Sequence, residues 1–223
     1  MLKRNAAASF AGLVLFLVTH ALAETHIYVA GHHNKTVIKI KEDGTLLWSF
    51  PNNNGHDVQL LKNGNILIVM GEVEEVTPDK KVVWQLGKPS VDIAEAAQRL
   101  ENGNTVIADN GKHAVVEINP KGEEVWHFDV PNNNKRPQPT MRQVRRLANG
   151  NTLICASTED EVWEVTQERK IVWRYKIPFP YLATRLGERQ HAYQQRGRVR
   201  QPSRLLPDRS RRGRQDGVEI RRR

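Results

Sequence analysis

Between residues 57 and 175 short apolar runs alternate with polar turns, and the alternation repeats. The runs "ILIVM" (66–70), "TVIAD" (105–109) and "TLICA" (152–156) each follow an Asn-Gly-Asn turn, at 63–65, 102–104 and 149–151. A short run ending in leucine precedes each turn: "DVQLL", "AAQRL" and "QVRRL". Downstream come Glu75-Val76, Glu117-Ile118 and Glu164-Val165, then a polar turn, then "VVWQL", "EVWHF" or "IVWRY". Runs this short, rich in Val, Ile and Leu and bounded by Asn, Gly, Asp and Pro, predict β-strands. The Asn-Gly step predicts a tight hairpin with positive backbone angles.

Each unit therefore reads as four antiparallel strands, A to D, with tryptophan in D. From the strand C glutamate to Trp84, Trp126 and Trp173 the distance is nine residues each time, and Lys39 to Trp48 repeats it near the front. The tryptophans recur every 36 to 47 residues. Four-stranded units of that period predict an all-β protein, a β-propeller. One small sheet cannot bury both faces, so the blades must stack. Trp48, Trp84, Trp126 and Trp173 are expected to dock each blade onto the next.

The endings "DGTLLWSF" and "KGEEVWHF" resemble the quinoprotein-like (PQQ-like) propeller repeats of exported bacterial proteins. The resemblance covers roughly residues 26–186. It implies the architecture more than an activity, because such blades serve enzymes and binding scaffolds alike.

The first unit, "HIYVAGHHNKTVIKIKEDGTLLWSF", supplies B, C and D but no A. Complete units run at about 57–86, 97–128 and 143–175, and another strand A begins at "YLATRL" (181–186). About four blades are visible and the ring is expected to be incomplete. The next Asn-Gly-Asn does not arrive. Residues 187–223 read as an Arg-rich disordered tail, with much charge and few apolar residues. Codons that encode "LGERQHAYQQ" can, shifted by one base, spell "LENGNTLISS", and the same frame can turn "DRSRRGRQDGVEIRR" into "IDPDGEDRTVWRYGG". A single-base insertion or deletion near Leu186 accounts for both.

The start has a different character. Lys3 and Arg4 precede an apolar run of nine residues, Phe10 to Val18, then Ala21-Leu22-Ala23. That is the layout of a secretory signal peptide over 1–23, and it predicts export to the periplasm or the exterior. Nine residues fall far short of the ~20 that span a bilayer, and no later run does better. No membrane span is expected after cleavage. The net charge of +9 is concentrated in 187–223, whose 12 Arg and 4 acidic residues give +8 and leave +1 for the other 186 residues. Nucleic-acid binding by the propeller body is therefore not expected. The single cysteine, Cys155, permits no internal disulfide and lies in an apolar run, as buried filler would.

Strand order places the B–C and D–A loops on one face of the ring. That face collects His32 and His33, His56 and Asp57, Asp109 and His113, and Arg142 of a loop that also holds Lys135 and Arg136. These are the candidate ligand-binding residues. Histidine with a carboxylate suits a transition metal, but no ligand spacing such as H-x-x-H supports one, and no PQQ site is evident. The cofactor remains unassigned, as does the partner: a protein, a glycan or a small molecule. Arg99, Arg146 and Arg185 stand three residues before an actual or expected turn asparagine. They either line an anion-binding channel or pair with the repeat glutamates. The expectation is a non-catalytic binding or scaffold module. The alternative is a propeller enzyme using His56, because "HDVQLLKNGN" is similar to exported aryl-sulfate sulfotransferases; a quinoprotein-like enzyme is the other form of it.

Overall fold

The computed structural model describes residues 26–31, 35–51, 55–133, 135, 140–186, 190–195 and 198–200. They form five antiparallel sheets in chain order. The first blade holds β1 (His26–Gly31), β2 (Thr36–Lys41) and β3 (Leu46–Pro51). The second holds β4 (Asp57–Leu60), β5 (Ile66–Val69), β6 (Val73–Val76) and β7 (Val82–Leu86). The third holds β8 (Ala94–Arg99), β9 (Thr105–Asp109), β10 (Ala114–Ile118) and β11 (Glu124–Asp129). The fourth holds β12 (Met141–Arg146), β13 (Thr152–Ala156), β14 (Glu161–Val165) and β15 (Ile171–Lys176). The fifth holds β16 (Pro180–Leu186), β17 (Gln190–Gln195) and β18 (Arg198–Arg200). The only helical turn among the described residues is a 3-10 turn at Ser157–Glu159. The architecture is a β-propeller with an incomplete ring.

The four-strand repeat holds for blades two to four, and among the described residues the first blade shows three strands. Pairing continues past 186, where the sequence placed a tail: β17 pairs with β16, and β18 with β17. A strand edge offers unsatisfied N–H and C=O groups that the next extended segment can take up, whatever its composition. The signal segment, His32, His33, Arg136 and residues 201–223 lie outside the described residues.

The core sits between blades. Tyr28, Ala30, Trp48 and Phe50 of the first blade pack against Ile66, Ile68 and Val76 of the second. Trp84 packs among Leu67, Val69, Ala97 and Ile107 between the second and third. Trp126 is 7% exposed among residues of the third and fourth. Trp173 and Tyr175, stacked on each other, pack with Leu153, Cys155 and Ala183. The indole N–H of Trp48 donates to the Pro78 carbonyl at 2.9 Å, and that of Trp126 to the Gln167 carbonyl at 2.8 Å, each on the C–D turn of the next blade. The constant nine-residue step contains a β-bulge: Glu75 opposes Trp84 but Val76 opposes Val82, and Glu117 and Glu164 repeat the pattern.

The Asn-Gly-Asn turns have a more specific cause than the sequence indicated. Only the glycine adopts positive φ, at +85° in Gly64, +87° in Gly103 and +84° in Gly150. The asparagines serve a glutamate. Asn63 and Asn65 both donate to Glu75 Oε1, at 3.1 and 2.7 Å, and Asn149 and Asn151 do the same to Glu164. Asn104 donates to Glu117 at 2.6 Å. Turn and strand C are thus written together.

Candidate functional site

The inner strands β4, β8, β12 and β16 line the channel, and three of them are bulged near their start. In β8 the register shifts between Ala94 and Ala96, in β12 between Met141 and Gln143, and in β16 between Pro180 and Leu182. The residue pushed out is Glu95, Arg142 or Tyr181. Bulges re-aim side chains and often lie beside functional sites. His56 holds the same position before β4: it stands seven residues before Asn63, as Glu95 stands before Asn102 and Arg142 before Asn149. One repeat position on four consecutive inner strands thus supplies His56, Glu95, Arg142 and Tyr181 to one end of the channel.

These side chains meet. Arg142 Nη1 donates to Glu95 Oε1 at 2.5 Å, and His56 Nδ1 lies 3.4 Å from the same oxygen. The Arg142 guanidinium lies over the ring of Tyr181, 5.0 Å from its centroid, and over Phe179 at 5.9 Å. Glu95 is only 4% exposed. Burial raises its pKa above the usual carboxylate range, and Arg142 and the Asn110 amide offset only part of that. Arg142 Nε is buried without a hydrogen-bond partner.

The other predicted residues have their own partners. Asp57 Oδ2 accepts the Ala97 N–H at 3.2 Å, and its Oδ1 accepts from Arg145 at 2.8 Å. Asp109 is fully buried and accepts four backbone N–H groups, those of Asp92, Ile93, Gly111 and Lys112. His113 Nδ1 lies 2.6 Å from the Thr140 hydroxyl. The structure therefore brings His56, Asp57 and Arg142 to the channel mouth and makes Asp109 a loop clamp. Among the described residues no cluster of three or more metal-ligating side chains forms.

Glu95 is the residue sequence reading passed over. It sits in "AEAAQR", where the surrounding alanines suggest only a small-residue core strand. Counting back from the turn asparagine places it beside His56 and Arg142.

Arg99, Arg146 and Arg185 are paired with repeat glutamates rather than lining an open anion channel. Arg146 donates to Glu117 at 2.5 Å and Arg99 to Glu75 at 3.3 Å, each reaching back one blade, and Arg185 pairs with Glu164. Arg99 and Arg146 also cover the tryptophans of the preceding blade, 4.1 Å from Trp84 and 5.2 Å from Trp126. Burial lowers the pKa of both arginines, and their glutamates oppose the shift.

Comparison with known proteins places the chain. A family model of PQQ-type repeats, described as outer membrane protein assembly factor BamB, matches residues 7–178. The chain belongs to this family. The BamB-type description associates the family with the bacterial outer membrane. Among solved structures, a protein of unknown function from Bacteroides caccae is 21% identical, with a TM-score of 0.62 over 77% of this chain and 65% of that one. A streptogramin B lyase is 13% identical, with a TM-score of 0.59 over 78% of this chain and 60% of the other. A catalytically inactive histidine-to-alanine virginiamycin B lyase from Staphylococcus aureus, solved with quinupristin, is also 13% identical, with a TM-score of 0.58 over 77% and 60%. At these identities the likeness establishes the fold alone. The chain spans under two thirds of the length of each solved relative. No curated protein matches it. No helix among the described residues is long and apolar enough to cross a membrane.

Proposed function

We propose that this BamB-type propeller is an exported, non-catalytic binding and scaffold module whose partner is a protein of the outer-membrane assembly process. The observation that carries this reading is the self-contained chemistry of the channel mouth. His56 and Arg142 close on Glu95, Asp57 on Arg145, and Asp109 on its own loop. Such pairing holds blades in register, and it leaves the polypeptide surface to do the binding. The test titrates immobilised protein with a purified, urea-unfolded outer-membrane β-barrel protein, beside an assay of aryl-sulfate turnover. Saturable binding without turnover is expected. Turnover that disappears in His56→Ala would reverse the conclusion. Export is checked by the mass of the mature protein, expected to begin at Glu24.

The enzyme reading has one observation in its favour. A histidine 3.4 Å from a buried carboxyl of raised pKa is an arrangement suited to proton transfer. The virginiamycin B lyase form named above lost activity with one histidine, which makes His56→Ala the variant that separates the two readings.

We also infer that a one-base frame change scrambles the chain after Leu186. Arg185, just before the break, still pairs with Glu164 as its repeat counterparts pair with theirs. The asparagines due at 188 and 190 are Glu188 and Gln190. Sequencing the gene decides: an intact frame whose shifted translation lacks the repeat words removes the inference.

A further inference from the structure

Every blade after the first covers one face on the blade before it. In β1, Tyr28 and Ala30 pack on the second blade. Side chains alternate along a strand, so Ile27 and Val29 point away from that blade. Their cross-strand partners, Ile40 and Ile38, share this outward face. In the later blades the same face is buried against the preceding sheet. Ile66 and Ile68 of the second blade are 3% and 0% exposed, and Ile107 and Ile154 of the third and fourth are 0%. Ile27 and Val29 are 43% and 40% exposed. A contiguous apolar patch of this kind marks an interaction surface.

The fifth sheet carries the complementary face. Ala183 packs on the fourth blade with Leu153 and Cys155, and Arg185 pairs with Glu164 of that blade. Leu182, Thr184 and Leu186 therefore point away from it. Leu182 follows the bulge of β16 as Ala96 follows that of β8 and Gln143 that of β12. Ala96 is buried against the fourth blade, and Gln143 accepts the Ala183 N–H of the fifth sheet at 2.7 Å. Leu182 and Leu186 are instead 41% and 39% exposed. The two open faces are the two halves of the joint that unites neighbouring blades. They cannot meet within one chain, because the sheets stack in chain order and place the first and fifth at opposite ends of the row.

We propose that a second copy of this chain docks there. The outward face of the first sheet in one copy packs on the outward face of the fifth sheet in the other, head to tail. This continues an interface already made between every pair of neighbouring blades. Ile27 and Val29 meet Leu182 and Leu186 as Ile154 meets Ala96 between the third and fourth blades. A contact between two different patches either closes into a ring or extends into a chain of copies. It stands independently of the outer-membrane partner.

Sedimentation velocity of the full chain across a range of concentrations tests the joint. Reversible association beyond the monomer is expected. Val29→Lys and Leu182→Lys each place a charge in the apolar joint, and each should weaken association by about tenfold or more. Both positions are exposed in the single chain, so both variants should keep the parent's circular dichroism; Ile27→Lys replaces Val29→Lys if that one does not. The two variants mixed are the decisive sample. Each retains the half that the other lacks, so the mixture should form a dimer although neither variant does so alone. A monomeric parent, association of Leu182→Lys alone at the parent's strength, or a mixture that stays monomeric overturns the proposal.

Discussion

Arg145 Nη2 donates to Asp57 Oδ1 at 2.8 Å, a contact between residues 88 positions apart that joins the second blade to the fourth past the inner strand of the third. Neighbouring blades are held by packing and by the Arg–Glu–Asn ladder. This pair adds a longer tie at the channel mouth, beside the Glu95 cluster. The two together cross-link three blades at the mouth, and they give the first prediction.

Glu95→Ala should destabilise the protein by about 3 kcal/mol, because it leaves the Arg142 charge buried without its partner. The double variant Glu95→Leu, Arg142→Met should recover most of that loss, since two apolar groups need no counter-charge. Urea unfolding of the parent and both variants checks this. A double variant less stable than Glu95→Ala would contradict it.

Glu164 Oε1 accepts from Asn149 and Asn151, its carboxylate is paired with the Arg185 guanidinium, and it is 3% exposed. Glu164→Ala therefore leaves two amide donors without their acceptor and Arg185 without its counter-charge, and should cost about 3 kcal/mol. Glu164→Gln keeps one acceptor oxygen and should cost less. Thermal unfolding of the two variants should order them so.

Trp126 fills the boundary between the third and fourth blades. Trp126→Ala should cost about 3–5 kcal/mol through the cavity it leaves. Trp126→Phe keeps much of the packing but loses the 2.8 Å hydrogen bond to the Gln167 carbonyl, and should cost markedly less. Denaturant midpoints of the two variants test the difference.

His127 sits between Glu124 and Asp129, at 2.9 and 3.0 Å. Burial pulls its pKa down, but hydrogen bonds to Asp129 and Glu124 outweigh burial and leave it raised above 6.5. A raised histidine stabilises the fold fully below its unfolded pKa and loses that contribution as pH rises through the folded value. Stability should therefore fall as pH climbs above about 6.5, and His127→Gln should flatten that stretch of the profile. A histidine NMR titration should place the His127 midpoint above 6.5.

Cys155 is fully buried, and burial pushes its thiol pKa well above the free value. Iodoacetamide should leave it unmodified in the native protein and alkylate it in urea. Native labelling at the unfolded rate would show that the fourth blade opens.

The repeat made the architecture legible. The Asn-Gly-Asn turns, the glutamates and the tryptophans nine residues on mark strands by local chemistry that does not depend on distant contacts. Trp126 and Glu117 could be assigned to a blade on spacing alone. The site was less legible. His56 and Arg142 stood out by residue type, but Glu95 looked like part of an alanine-rich strand; the spacing favoured pairing for Arg99, Arg146 and Arg185 over an open channel without naming which glutamate each one meets.

By itself, then, the sequence determined the all-β repeat and the spacing of its strands, because turn chemistry and hydrophobic alternation act over a few residues. Tertiary structure alone decided that Glu95 holds both His56 and Arg142, that Asp57 reaches Arg145, and that the channel arginines are paired. Those partners lie 21 to 88 residues apart along the chain and on separate blades, and only the stacking of sheets around an axis brings such charges together.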